Sequence, residues 1–323
     1  MILTVTLNTA LDVGYRVPRL ERHGTHRVSE VRVRPGGKGL NVARVLAALG
    51  HDVVVTGFAG GRTGEEVRTL LARRAENASA APDAGSLTDA LVAVGGETRR
   101  TVAVIDDATG DTTQLNEPGP HVAPEEWTAF LTAYRDLLAA GGGRCRAVAL
   151  CGSLPPGVPV GAYGTLVREA RTAGVPVLLD TSGEPLRRGL AARPDVVKPN
   201  VAELAGITGT NEPLRAAREA RRRGAREVAA SLGPDGMLAL TEDGVWRAAP
   251  ARRLAGNPAG AGDSAVAGLL SGLVEGLSWP DRLVRAVALS AATVAAPAAG
   301  EFDAPVYAEM LPRVEVTERT AAA

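Results

Sequence analysis

The chain reads AVALCGSLPPG over 147–157, VPVLLDTSG over 175–183, VVKPNVAEL over 196–204 and EVAAS over 227–231. Each segment is a short apolar run, rich in β-branched residues, that breaks at Gly, Asp, Pro or Ser. The expected strands are Val148–Cys151, Val175–Leu179, Val196–Val197 and Glu227–Ser231. Between them the residues suit helices over Tyr163–Thr172, Val201–Ile207 and Pro213–Arg222. Strand–helix alternation of this kind specifies an α/β fold with a mainly parallel sheet and helices on both faces.

Upstream, Ile2–Leu7 and Val53–Phe58 read as buried strands. Leu40–Leu49, closed by Gly50, and Glu65–Arg74 read as helices, with a loop over Asn77–Ser86. Val28, Val31 and Val33 alternate with polar residues, the pattern of strands exposed on one side. Leu91–Val94, Thr101–Ile105 and Thr112–Leu115 form a second such set, with a turn around Asp106–Asp111. Pro124–Ala139 is a helix with proline at its start. Downstream come a hairpin, Met237–Leu240 and Val245–Ala248, and helices over Ala265–Val274 and Asp281–Ala296. The expectation is a single domain over 1–323 with a small β appendage from about 13–33 and 98–116, free of repeats and linkers apart from an Ala-rich tail.

With 323 residues, 45% of them hydrophobic and only 3% aromatic, the core should be aliphatic. The formal net charge is zero, and acids and bases are scattered, so neither a nucleic-acid face nor a polybasic membrane segment is expected. The apolar stretches are too short to span a bilayer, and no signal-peptide pattern opens the chain. Cys145 and Cys151 fit no metal-ligand spacing and read as free thiols of a cytoplasmic protein. Lys38 and Lys198 are the only lysines. Either they survive by chance in an arginine-biased sequence, or their sites need a compact point charge that a guanidinium does not imitate.

Pro35-Gly36-Gly37-Lys38-Gly39-Leu40-Asn41 lies between a strand and a helix. Its glycines allow close backbone approach and the helix start offers free amides, although such loops also serve as plain tight turns. Gly260-Ala261-Gly262-Asp263-Ser264 precedes an apolar helix. Its amides suit developing negative charge, and Asp263 is either a base for an attacking hydroxyl or a helix cap. Lys198-Pro199-Asn200, with Glu203 three residues on, suits a water-bound Mg²⁺ or an ordinary helix start. Ser231-Leu232-Gly233-Pro234-Asp235-Gly236 is a turn that alone says nothing more.

Taken in order, Asp12, the Gly-Gly-Lys-Gly-x-Asn loop, Gly152-Ser153-Leu154-Pro155-Pro156-Gly157, Lys-Pro-Asn-x-x-Glu-Leu, Ser-Leu-Gly-x-Asp-Gly and Gly-Ala-Gly-Asp resemble the ribokinase-like (PfkB) carbohydrate kinases over nearly the whole chain. Thr6-Leu7-Asn8, Asn41-Val42-Ala43 and Asn116-Glu117-Pro118-Gly119 resemble most its 1-phosphofructokinase and tagatose-6-phosphate kinase branch.

The resemblance implies a Rossmann-like core with a β-sheet lid, and a homodimer through that lid. It implies ATP-dependent phosphorylation of fructose 1-phosphate or tagatose 6-phosphate, with Asp263 as base and the amides of Gly260, Ala261 and Gly262 as anion hole. Asp12, Gly36, Gly37 and Asn41 become sugar contacts. Lys38, Arg27, Arg99 and Ser153 become contacts to the substrate's phosphate, with only one of Arg99 and Arg100 facing inward because neighbours on a strand point to opposite sides. Lys198, Asn200 and Glu203 become the nucleotide and Mg²⁺ side, with Glu203 acting through water, and Ser231, Gly233 and Gly236 border ATP.

Two departures stand out. Thr98-Arg99-Arg100-Thr101-Val102-Ala103 lacks the branch's Asn and Lys, and Pro258 replaces a hydroxyl residue, which leaves K⁺ dependence open. The competing readings are a kinase of the same fold acting on fructose 6-phosphate or on an unphosphorylated sugar or nucleoside, and a non-catalytic ligand sensor.

Overall fold

The computed structural model describes residues 1–78, 84–140 and 145–319. Its main sheet is 11-stranded. From one edge ten of its strands run Glu315–Arg319, Val245–Ala249, Met237–Leu240, Glu227–Ser231, Val196–Val197, Val177–Asp180, Ala147–Cys151, Ile2–Thr6, Val53–Ala59 and Leu87–Asp89, and the eleventh, Val92–Ala93, pairs off this path with Val53–Ala59. The pairs from Glu227–Ser231 to Leu87–Asp89 are parallel, and the three strands beyond Glu227–Ser231 are antiparallel.

The central parallel strands Ile2–Thr6, Ala147–Cys151 and Val177–Asp180 are buried throughout because helices cover both faces. Side chains alternate between two cores. Leu3, Val5, Val148, Leu150, Val177 and Leu179 pack with Phe130, Tyr134, Tyr163 and Leu166 on one side. Ile2, Val53, Ala147, Ala149 and Leu178 pack with Leu40, Val45, Leu269 and Leu283 on the other. The core is mainly aliphatic, as expected, with an aromatic group at Phe58, Trp127, Phe130 and Tyr134.

A separate 4-stranded sheet is ordered Glu30–Gly36, Ala10–Val17, Arg99–Asp106, Thr112–Asn116. Direct pairing puts Asp12 beside Thr101, and Thr101 beside Asn116, on one face. Val13, Val33, Val102 and Leu115 share the opposite face.

Several expectations change. Val92–Ala93, inside the expected Leu91–Val94 strand of the second alternating set, pairs parallel with Val53–Ala59 in the main-sheet region. The helices begin earlier than their apolar periodicity, at Lys38, Gly61 and Ala261, because small or polar residues occupy their first positions. The helices Gly183–Leu190 and Ala304–Met310, and the strands Leu87–Asp89 and Glu315–Arg319, are additional. Residues 79–83 of the expected Asn77–Ser86 loop and the end of the Ala-rich tail fall outside the described residues. Among the described residues no helix is long and apolar enough to cross a membrane. Both cysteines are free and buried.

Candidate active site

Five parallel strands end at one cavity of about 990 Å³: Thr6, Gly152, Thr181, Lys198 and Ser231 lie at or just past their carboxyl ends and line it. This is where open α/β sheets bind ligands. The small sheet lines one side of the cavity with Asp12, Arg99, Thr101, Gln114 and Asn116.

Asp263 sits in the first turn of the Ala261–Val274 helix and is 6% exposed. Gly260 precedes it at φ 84°, and a methyl group there would stand 2.7 Å from the Ala299 Cα and Cβ, so both the turn and the packing require glycine. Gly260, Ala261 and Gly262 line the cavity. The Ala261 amide, expected among the free donors, donates to the Pro258 carbonyl at 3.1 Å. The remaining candidates for an anion hole here are the amides of Gly260 and Gly262. Asn41 Nδ2 donates to Asp263 Oδ2 at 2.8 Å. Burial pushes the Asp263 carboxyl up to about 6; Lys38, the Asn41 hydrogen bond and Lys198 oppose the rise, and Asp180 adds to it.

Asp180 is the residue the motif reading missed. It ends its strand, is 1% exposed, and has Lys38 Nζ 3.3 Å from Oδ2 and Lys198 Nζ 3.3 Å from Oδ1. The second contact is an ion pair outside hydrogen-bond geometry, so Oδ1 has no hydrogen-bond partner. Both lysines of the chain thus converge on one carboxylate. A methyl group on Gly262 would lie 3.7 Å from Lys198 Nζ, which places that ammonium in front of the helix start. Burial works against the charge on Lys38, but Asp180, Asp263 and Glu203 overcome it and hold its pKa above the ordinary lysine value. A signal for Asp180 was present: it is the last residue of a parallel strand in this fold class.

At the other end, Arg99 lines the cavity while Arg100 does not. Arg99 Nε donates to the Asn8 carbonyl at 3.2 Å, and Asn8 Nδ2 donates to Ser153 Oγ at 3.0 Å. Asp12 packs against Gly36, where a methyl group would land 2.0 Å from Oδ1; Gly36 therefore sits behind Asp12, and Gly37 lines the wall. Burial raises the Asp12 carboxyl pKa, against the pull of Arg44 and Arg99.

Arg27 is not brought to the cavity of its own chain. It is exposed in the loop before the strand Glu30–Gly36, and it is the glycine end of that strand that meets the site. A rise of about 3.3 Å per residue puts it on the order of 20 Å away.

On the side expected to take the nucleotide, Asn200 and Glu203 cap the helix Val201–Thr208 reciprocally: Asn200 Oδ1 accepts from the Glu203 amide and Glu203 Oε2 from the Asn200 amide, both at 2.8 Å. Both still line the cavity, together with Ser231, Gly233 and Gly236.

A cavity at the strand ends, a buried carboxylate at a helix start and two lysines held by one aspartate define a ribokinase-like kinase of small molecules. Residues 5–305 match the pfkB family of carbohydrate kinases, and the chain belongs to that family. It is 40% identical over 298 residues to a 1-phosphofructokinase of Rhodobacter capsulatus, covering 90% of each chain. A Thermotoga maritima structure described as a possible 1-phosphofructokinase superposes with a TM-score of 0.87 at 27% identity, over 99% of this chain and 100% of the other. Escherichia coli phosphofructokinase-2 in complex with substrates and products gives 0.84 at 29%, over 97% and 98%. The enzyme is a sugar-phosphate kinase.

Proposed function

We propose that the enzyme transfers the γ-phosphoryl group of ATP to the 6-hydroxyl of fructose 1-phosphate, giving ADP and fructose 1,6-bisphosphate. The observation that carries this reading is the position of Asp263, buried beside the helix start in the cavity that also holds Lys38, Lys198 and Arg99. The 40% identical relative named 1-phosphofructokinase supports the choice of sugar.

Asp263 accepts the hydroxyl proton as the oxygen attacks the γ-phosphorus and the bond to the ADP oxygen breaks. The amides of Gly260 and Gly262 face the transferring group. Lys38 was expected at the sugar's own phosphate; its pairing with Asp180 fits a role beside Lys198, offsetting charge on the phosphoryl group in flight. Asp12 holds sugar hydroxyls. Arg99 and Ser153 take the phosphate already on the sugar, since a guanidinium fork suits a phosphate dianion.

Glu203 uses one oxygen on the Asn200 amide and has a second to offer. Among the described residues no three His, Cys, Asp or Glu side chains cluster as a protein-held metal site. A single carboxylate with water suits Mg²⁺ carried in by the nucleotide, and Glu203 would hold its water shell. When bound, the ion neutralises phosphate charge.

An ADP-release assay over fructose 1-phosphate, fructose 6-phosphate, tagatose 6-phosphate and fructose tests the substrate. The expected kcat/KM for fructose 1-phosphate exceeds the others by about tenfold or more. Preference for another phosphosugar reassigns the sugar. Equal use of free fructose removes the phosphate contact, and no ADP with any acceptor points to a sensor.

The small sheet is proposed as the lid of the cavity and as the contact of a homodimer. Val31 is 57% and Leu115 61% exposed on its face away from Asp12, which supports burial against a second copy. Light scattering is expected to give the mass of two chains, and Val31→Glu with Leu115→Glu the mass of one. A wild-type monomer contradicts the dimer.

A further inference from the structure

Arg44 lies on the Lys38–Ala48 helix and is 2% exposed. It sits one layer behind the cavity wall, where its guanidinium ties three segments together. Nη1 donates to the Pro35 carbonyl at 2.8 Å, and Nη2 donates to Asn41 Oδ1 at 2.5 Å and to the Ala299 carbonyl at 2.8 Å. Pro35 opens the early glycine loop. Asn41 bonds the proposed base. Ala299 backs Gly260 at the start of the late motif. The next residue, Gly300, leaves the guanidinium its space, because a methyl group there would come 2.4 Å from Nη2.

A guanidinium is only a donor, whereas a carboxamide is a donor on one side and an acceptor on the other. Arg44 facing Asn41 therefore demands the amide oxygen and turns the amide nitrogen to the opposite side, toward Asp263. We propose that Arg44 is a positioning residue: it fixes the Asn41 carboxamide so that a donor always meets Asp263 Oδ2, leaving the other carboxylate oxygen for the acceptor hydroxyl. This rests on Asp263 being the base. Without Arg44 the carboxamide is free to turn its oxygen to the carboxylate. Asp263 would then hold its proton to higher pH, and the acid limb of kcat would move upward.

The test is the midpoint of that limb in a cycle of Arg44→Met, Asn41→Ala and the double variant. Lys38, Lys198 and Asp180 also face Asp263 and are common to all of them. Asn41→Ala and Arg44→Met are each expected to raise the midpoint by about half a pH unit or more, and the double variant is expected to move no further than Asn41→Ala alone. A merely structural arginine would lower the folded fraction and leave the midpoint in place. A direct charge effect of Arg44 on Asp263 would make the two shifts add. Either result overturns the proposal. If Arg44→Met does not fold, Arg44→Lys enters the same cycle, with a smaller upward shift expected that again does not add to that of Asn41→Ala. An acid limb that survives in Asp263→Asn overturns the base assignment and this proposal with it. A limb that vanishes there but stays put in the Arg44 variants overturns only the proposal.

Discussion

Asp263→Asn is expected to lower kcat by about 10³–10⁴-fold while ATP still binds. The substitution keeps the shape of the side chain and an oxygen for the Asn41 donor, which lies 2.8 Å from Oδ2 in the wild type. It removes the negative charge that would take the hydroxyl proton. Nucleotide binding depends on other groups, so calorimetric ATP affinity should change by less than about threefold. Such a split marks a group that acts in the transition state rather than in ground-state binding. The wild-type pH profile carries a second reading of the same residue. A base must be unprotonated to work, and the Asp263 carboxyl is pushed up to about 6 by burial. Wild-type kcat should therefore rise as pH increases through about 6, and this limb should be missing from the residual rate of the variant. A near-normal rate, or an unchanged limb, would remove Asp263 from its role.

Asp180→Ala should damage both stability and rate. It leaves Lys198, 4% exposed, without the carboxylate 3.3 Å away. Breaking a buried pair from one side costs about 3–5 kcal/mol, because the remaining charge stays desolvated. Lys38, with 40% of its side chain exposed, is screened by solvent and contributes little to that cost. Its contribution appears in the rate, because both ammonium groups lose their anchor beside the transferring phosphoryl group. The expected outcome is a clear fall in Tm and at least about a 10²-fold loss of kcat. Unchanged Tm with kcat within twofold of wild type would show that Asp180 does not organise the lysines.

How much of this was legible in the sequence follows from how locally each feature is encoded. The Val177–Asp180, Val196–Val197 and Glu227–Ser231 strands announce themselves as apolar runs between helices. The Gly37 and Gly260 turns do so as glycines at helix starts. Val92–Ala93 was read within a strand but grouped with the half-exposed ones, because two residues carry no periodicity and its partner, Val53–Ala59, is distant in the chain. Asp180 was missed because its meaning lies in two lysines that sequence separates and the sheet brings together. The Ala261 amide was expected to be free, but Pro258, noted as a departure, curls the turn so that its carbonyl accepts from that amide. Arg27 was placed by analogy of position, whereas the length of the hairpin carries it away from the cavity of its own chain.

The most direct measurement is a crystal structure of Asp263→Asn with fructose 1-phosphate and a non-hydrolysable ATP analogue. The account predicts the 6-hydroxyl within about 2.6–3.2 Å of residue 263 and in line with the γ-phosphorus, with the sugar's phosphate against Arg99. A sugar bound with that hydroxyl turned away from residue 263, or a nucleotide that does not reach the Gly260–Gly262 turn, would contradict it.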